Sequence, residues 1–373
     1  MQYNNINLSP GIVPANNKMQ SLIFLHRVLL LCSLLLLLMQ STSGVITSIN
    51  SSSLNNLMES AKVEMNNHHY EEALNMYDQA IKQDPKNESA INNRGIALMR
   101  LNRCNESVQT LLHAWQLNST SPTTLANLVF AELCSGEDVQ ADVHITEGLD
   151  NHSDYVGFWL AKGMLERNRG NLSESIAALN HSLLIEPDNA ELWYEQSKTI
   201  SLLGNFSEAY EAILHARNLS PSDVNILFYQ GVLEEQMNRV KDALTTYDSV
   251  LALNPNFTPA WFSKGSIYFN HYRPTESINA YNHALQLDPS NSEAWFYRGL
   301  ALNALDLTNE SARSFSNASA LNPENRMYRS YRDRFVVLSQ QNIDQGVIRL
   351  HLSVFFLVLI IGCIFCGMRK KKL

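Results

Sequence analysis

In residues 258–291, "TPAWFSKGSIYFNHYRPTESINAYNHALQLDPSN", the pattern steps by three and four rather than alternating. Trp261, Lys264, Gly265 and Tyr268 fall at i, i+3, i+4 and i+7, which is one face of a helix. Ser277, Tyr281 and Ala284 repeat that spacing on a second helix. The small residues Gly265 and Ser277 let the two helices approach closely. Asp288-Pro289 stops the second helix, because proline has no N–H to donate and drives its predecessor out of the α region.

The same pattern returns every 34 residues. "GNLSESIAALNHSLLIEP" at 170–187 is followed by "GNFSEAYEAILHARNLSP" at 204–221. Prolines stand at 85, 187, 221, 255, 289 and 323, with Ser119 and Ser153 in the two remaining slots. A second register runs Gly95, Gly163, Gly231, Gly265 and Gly299, with Ala61, Val129 and Ser197 between them. A third runs Ala73, Ser107, Ala141, Ser175, Ala209, Ala243, Ser277 and Ser311. Three registers with one period predict eight helix-turn-helix units filling 54–325 without insertion. One such hairpin cannot bury its apolar faces alone, whereas stacked neighbours can. Units 88–121 and 122–155 depart from the pattern through Ser119, Val129 and Ser153, and 122–155 also carries Gly136 and Gly148. Local distortion is expected in both.

The Trp-x-x-x-Gly-x-x-Tyr of 261–268, with Ser277, Tyr281, Ala284 and Pro289, resembles the tetratricopeptide (TPR) family. The resemblance implies an all-α, right-handed superhelical solenoid. It also implies that partner polypeptides lie in a concave groove lined by the first helix of each unit. Beside the tryptophans that groove would present Tyr194, Phe228, Phe262 and Phe296, followed by Tyr229 and Tyr297. Aromatic anchors suit peptide recognition, and the same slots also serve packing between units. The family's carboxylate clamp needs lysine where this chain has Tyr194, Phe228, Phe262 and Phe296, so chaperone-tail binding is not implied.

Charge changes the picture at the ends. The chain has 373 residues and net charge −8, but 54–325 holds 17 basic against 34 acidic residues and the last 48 hold 9 against 2. An acidic array argues against nucleic acid as a partner. Lys18 and Arg27 precede a 12-residue apolar run, Val28 to Met39, and small residues follow it. That describes a signal peptide over 1–44, or an uncleaved signal anchor, with a linker over 45–53. Leu352 to Met368 is 17 residues without a charge, and 347–368 reads as a transmembrane helix. The basic tail 369–373 then faces the cytoplasm and the repeats face the far side. Between repeats and span, Tyr328, Tyr331, Phe335 and Leu338 share one face of an expected capping helix over 326–345.

The candidate chemistry is sparse. Thirteen Asn-x-Ser/Thr triplets occur where chance placement of 39 Asn and 50 Ser plus Thr gives about five. Asn87, Asn105, Asn118, Asn151, Asn171, Asn205, Asn256 and Asn309 are candidate N-glycan acceptors, and Asn50, Asn180, Asn218 and Asn317 also lie in the exported part. Turn chemistry accounts for Asn171 and Asn205, since Gly-Asn-x-Ser starts a helix well. Cys104 and Cys134 fall at one edge of adjacent units and are a candidate disulfide. His113, His181, His215 and His283 share one slot and read as solvated substitutions. No phosphate-binding loop, nucleophile elbow or metalloprotease motif appears, and no metal, cofactor or small-molecule substrate is expected. The sequence thus points to a non-catalytic, membrane-anchored scaffold for protein–protein interaction. The alternatives are an accessory subunit of a membrane enzyme handling surface polysaccharide or glycan, and, in a eukaryotic host, a lumenal protein of the secretory pathway.

Overall fold

The computed structural model describes residues 53–341. The expected signal segment, the span 347–368, the tail 369–373 and Asn50 lie outside these residues. Every element among the described residues is a helix. The first helices of the eight repeats are α1 (53–66), α3 (Glu88–Arg100), α5 (Pro122–Ser135), α7 (Val156–Arg169), α9 (Ala190–Leu202), α11 (Val224–Gln236), α13 (Thr258–Asn270) and α15 (Ser292–Asn303). The second helices are α2 (Tyr70–Gln83), α4 (Cys104–Leu117), α6 (Asp138–Asn151), α8 (Leu172–Ile185), α10 (Phe206–Leu219), α12 (Val240–Leu253), α14 (Pro274–Leu287) and α16 (Thr308–Leu321). A last helix, α17, spans 326–341. The chain divides into two compact units at Ala161/Lys162, inside α7.

The registers explain why each hairpin closes. The residue sixteen positions after each glycine slot sits across from it: Leu111, Leu179, Tyr247, Tyr281 and Phe315 face Gly95, Gly163, Gly231, Gly265 and Gly299. A Cβ on Gly231 would come within 2.5 Å of the Tyr247 ring. Repeat one pairs Ala61 with Tyr77, and where the slot holds Val129 or Ser197 the residue sixteen on is Ile145 or Ile213; all of these are buried. The third register is fully buried in all eight repeats. Four of its serines donate their hydroxyl to the glycine carbonyl twelve residues back: Ser107 to Gly95 (2.7 Å), Ser175 to Gly163 (2.7 Å), Ser277 to Gly265 (2.9 Å) and Ser311 to Gly299 (2.8 Å). In repeat five the bond is reversed, from Ser197 to the carbonyl of Ala209 at 2.7 Å.

Four of the turns between repeats carry a tryptophan contact. The indole N–H of Trp159, Trp193, Trp261 and Trp295 donates to the carbonyl six residues earlier, on Ser153, Pro187, Pro255 and Pro289, at 2.8–3.0 Å. The helix lengths correct the expectation that repeats two and three are distorted, and at Ser153 the indole contact is kept as well. Without prolines at 119 and 153, α4 and α6 are still 14 residues long and end two residues before the slot, as α8 and α10 do. The acceptor is a backbone carbonyl, which serine supplies as well as proline does.

In the first unit the core gathers Val108, Leu111, Leu125, Leu128 and Phe158. The sulfurs of Cys104 and Cys134 are bonded there, with Cα atoms 5.6 Å apart, joining repeat two to repeat three. Repeat three also holds a buried ion pair, His144 Nδ1 to Glu132 at 2.9 Å. Donation of the His144 ring N–H to the Glu132 carboxylate raises the His144 pKa above its ordinary value. In the second unit one core gathers Tyr247, Val250, Leu251 and Ile267, and another closes on α17. Tyr328, Tyr331 and Phe335 of α17 pack on Phe296 and Phe315, with Phe296 stacked on Tyr328 at 4.8 Å. Leu338, the fourth residue of that face, is 37% exposed.

Candidate functional site

The aromatic slots sit on α9, α11, α13 and α15, all in the second unit, and they do not share one environment. Phe296 is 4% exposed beneath Tyr328 and Tyr331, so it belongs to the end of the array and offers no surface to a partner. Tyr297 lies among Phe262, Phe269, Tyr281 and Phe296. Tyr194 and Tyr229 meet edge to face at 5.7 Å. Burial pushes the Tyr194 pKa up to about 12, and it raises Tyr229 too. The Tyr229 and Ser201 hydroxyls are hydrogen-bonded, and the Lys198 ammonium lies 5.0 Å over the Tyr194 ring. These rings chiefly join one repeat to the next.

Phe228 and Phe262 differ from the others in lining a common cleft. Phe228 packs on Tyr247 and Phe257, Phe262 on Tyr281 and Tyr297, and both are partly buried, as Tyr194, Tyr229 and Tyr297 are. Their remaining surfaces line a single open cleft of about 340 Å³, with Thr258, Pro259, Ser263, Asp288, Asn291 and Glu293. α11 supplies Phe228, α13 supplies Phe262, the C-cap of α14 supplies Asp288, and the first turn of α15 supplies Glu293. The Asn291 side chain is engaged in capping α15 through Ala294 N–H. The lining thus combines two aromatic rings with the hydroxyls of Thr258 and Ser263 and the carboxyls of Asp288 and Glu293.

Four polar side-chain contacts tie a repeat to the one before it. Arg94 reaches Asp78 (2.7 Å), Gln196 reaches Asn180 (2.6 Å), Lys264 reaches Asp248, and Arg298 reaches Asn282 (2.6 Å). Each spans sixteen residues back to the preceding repeat. Arg167 and Lys198 flank the buried carboxylate of Glu195 at 2.5 and 2.9 Å. The histidine register holds a further contact. His215 stacks on Trp193 at 4.7 Å and His283 on Trp261 at 4.3 Å, so these two exposed rings are packed on indole faces rather than fully solvated. One signal was available in the sequence: each of these two histidines follows a tryptophan by 22 residues.

The comparisons agree with this geometry. A family model described as TPR repeat matches residues 69–102, one described as tetratricopeptide repeat matches 203–256, and one described as protein prenyltransferase alpha subunit repeat matches 274–305. No curated protein matches the chain by sequence. Among solved structures, the APC/C hetero-tetramer Cut9–Hcn1 is similar with a TM-score of 0.58 at 15% identity, over 71% of this chain and 52% of that one. The chain thus spans about half the length of that relative. The Pseudomonas aeruginosa protein pilF is similar with a TM-score of 0.50 at 15% identity, over 57% of this chain and 97% of that one. Among the described residues no helix is long and apolar enough to cross a membrane. The described chain is an all-helical, TPR-like repeat array, of the kind that generally mediates contact between proteins.

Proposed function

We propose that the chain is a membrane-anchored, exported scaffold whose repeats five to eight, 190–325, hold segments of partner polypeptides without catalysis of its own. The observation that carries the binding reading is the cleft of Phe228 and Phe262, rimmed by Asp288 and Glu293. Its floor takes an apolar side chain, and its rim favours basic neighbours on the same segment. The acidic balance of 54–325 extends that preference beyond the cleft. Export and anchoring are supported by the apolar runs 28–39 and 352–368, the basic tail, and the Cys104–Cys134 bond, which suits an oxidising compartment.

The test is cross-linking of the full chain in native membranes, comparing wild type with a Phe228→Ala, Phe262→Ala double variant. Loss of a buried aromatic anchor costs about 2 kcal/mol or more at a binding hot spot, roughly thirtyfold in affinity. Capture should fall by at least that factor while the melting temperature of the same variant stays within a few degrees. Undiminished capture would sink the cleft assignment. Protease added from outside should remove the repeats and spare an epitope placed after Leu373; the opposite pattern would reverse the topology.

A further inference from the structure

The Asn-x-Ser/Thr triplets are not spread evenly over the fold. Residues 53–341 contain 32 asparagines, ten of them within α1, α3, α5, α7, α11, α13 and α15. Eleven of the 32 begin a triplet, and none of those eleven lies within a first helix. Proportional sharing, 11 × 10/32, would place about three there. The triplets lie instead on second helices and in turns.

Several have a structural reason to exist. Asn87 caps α3 by accepting from Ala90 N–H. The triplets of Asn105 and Asn309 end in Ser107 and Ser311, whose hydroxyls close their hairpins. Asn171 donates to Glu166, Asn180 accepts from Gln196 in the clasp between repeats, and Asn151 donates to the Glu147 carbonyl. Ser319, which completes the triplet of Asn317, is buried and accepts from Arg332. Asn205 heads α10 in the turn inside repeat five, not between repeats; its side chain makes no cap, and its backbone carbonyl accepts from Ala209 N–H.

Asn118, Asn218 and Asn256 remain. All three are exposed and stand at the end of a second helix or in the turn after it. Asn118 is joined to the last residue of its own triplet: Thr120 N–H and Thr120 O–H both donate to its Oδ1, at 3.3 and 2.8 Å. Asn218 borders an open cleft of about 630 Å³ beside Leu227 and Leu253, with room for a bulky substituent. Asn256 ends its triplet in Thr258, at the margin of the Phe228–Phe262 cleft.

We propose that Asn118, Asn218 and Asn256 carry N-linked glycans, at the turns between repeats, and that the first helices carry none. The inference rests on the export reading, since the acceptors must meet a membrane oligosaccharyl transferase. In the transfer, the asparagine amide nitrogen attacks the anomeric carbon of an oligosaccharide held on a lipid phosphate. The N–C1 bond forms and the C1–O bond to phosphate breaks. The lipid phosphate leaves with the electron pair, and the amide proton goes to a base of the transferase. The disulfide between Cys104 and Cys134 is a second feature of the same kind of compartment.

The experiment is glycopeptide mass spectrometry on the full chain from membranes of a glycosylating host, with protease protection run on the same vesicles. Peptides spanning Asn118, Asn218 and Asn256 should carry a sugar mass, and those from the first helices should not. Asn118→Gln, Asn218→Gln and Asn256→Gln should each remove one glycan without moving the melting temperature. Thr120→Ala should strip Asn118 while leaving that asparagine in place. Bare peptides from repeats on the far side of the membrane, which external protease reaches on intact cells and does not reach in sealed lumen-inside vesicles, would overturn this inference and leave export standing. Repeats digested from the cytoplasmic side would overturn both. Glycans on first-helix asparagines would overturn the asymmetry.

Discussion

Repeat three, 122–155, and repeat seven, 258–291, reach one hairpin by different means. Repeat seven uses packing: Gly265 receives the Tyr281 ring, Ser277 bonds to the Gly265 carbonyl, and Trp261 fixes the turn before it. Repeat three has Val129, Ala141 and Leu125 at those slots. It substitutes a Ser121 cap and Pro122 at the head of α5, a left-handed Gly136 after it, the bond to Cys104, and the buried Glu132–His144 pair. The period is therefore a property of the hairpin's geometry. Residues that satisfy it can be covalent, ionic or apolar.

The largest test of that contrast is removal of the covalent part. A Cys104→Ala, Cys134→Ala variant frees a loop whose ends are 30 residues apart, and chain entropy puts the loss at roughly 3–4 kcal/mol. Hydrogen exchange should show α4 and α5 opening sooner while α11 to α14 keep their protection. Equal loosening of both regions would mean that repeat three does not depend on the bond. Next, Gly231→Val should cost about 1–3 kcal/mol by driving a side chain into Tyr247. Adding Tyr247→Ile imports the pairing that repeat three uses at Val129 and Ile145, and should restore much of the melting temperature.

Smaller effects separate the hydroxyl and the ion pair. Ser277→Ala leaves the Gly265 carbonyl without its side-chain donor, for a loss of about 1 kcal/mol in denaturant unfolding. Ala243, already without a hydroxyl at the same slot, makes a reference: Ala243→Ser should recover a similar amount in repeat six. The Glu132–His144 pair gives the smallest change. Because the His144 pKa is raised in the folded chain, its contribution is complete below about pH 6.5, the unfolded value. It fades as pH rises through the folded value. Wild type should lose part of its stability over that window relative to His144→Gln; parallel pH profiles would show that the charge on His144 does not matter.

The helices were readable because each register is a demand of close approach: a second helix cannot lie against the first without Gly or another small residue at 95, 163, 231, 265 and 299. What completes each register depends on residues twelve or sixteen positions away, and so it emerged only with the fold. The trade of Val129 for Gly and Ile145 for Tyr is one example, and it is why distortion was wrongly expected in repeat three. The roles of the aromatics were the least legible. Phe228, Phe262 and Phe296 occupy identical slots, yet Phe296 is covered because α17 lies on it, while Phe228 and Phe262 share a cleft because each still has an open side. The stacking of His215 and His283 on indoles was missed because polarity suggested solvent, although both residues kept strict phase with tryptophan.

The uninterrupted 34-residue spacing has a consequence for inheritance. Every contact that closes a hairpin spans twelve or sixteen residues, and every turn contact spans six, so none extends beyond a neighbouring repeat. A recombination between equivalent codons of repeats seven and eight would delete or duplicate 34 residues in frame, with Ser277 and Ser311, Trp261 and Trp295, and Lys264 and Arg298 standing in for one another across the new junction. A crossover between repeats two and three would separate Cys104 from Cys134. Gain or loss of a whole repeat is therefore compatible with the contacts of the C-terminal pair, whereas the second and third repeats keep their covalent bond only as one block.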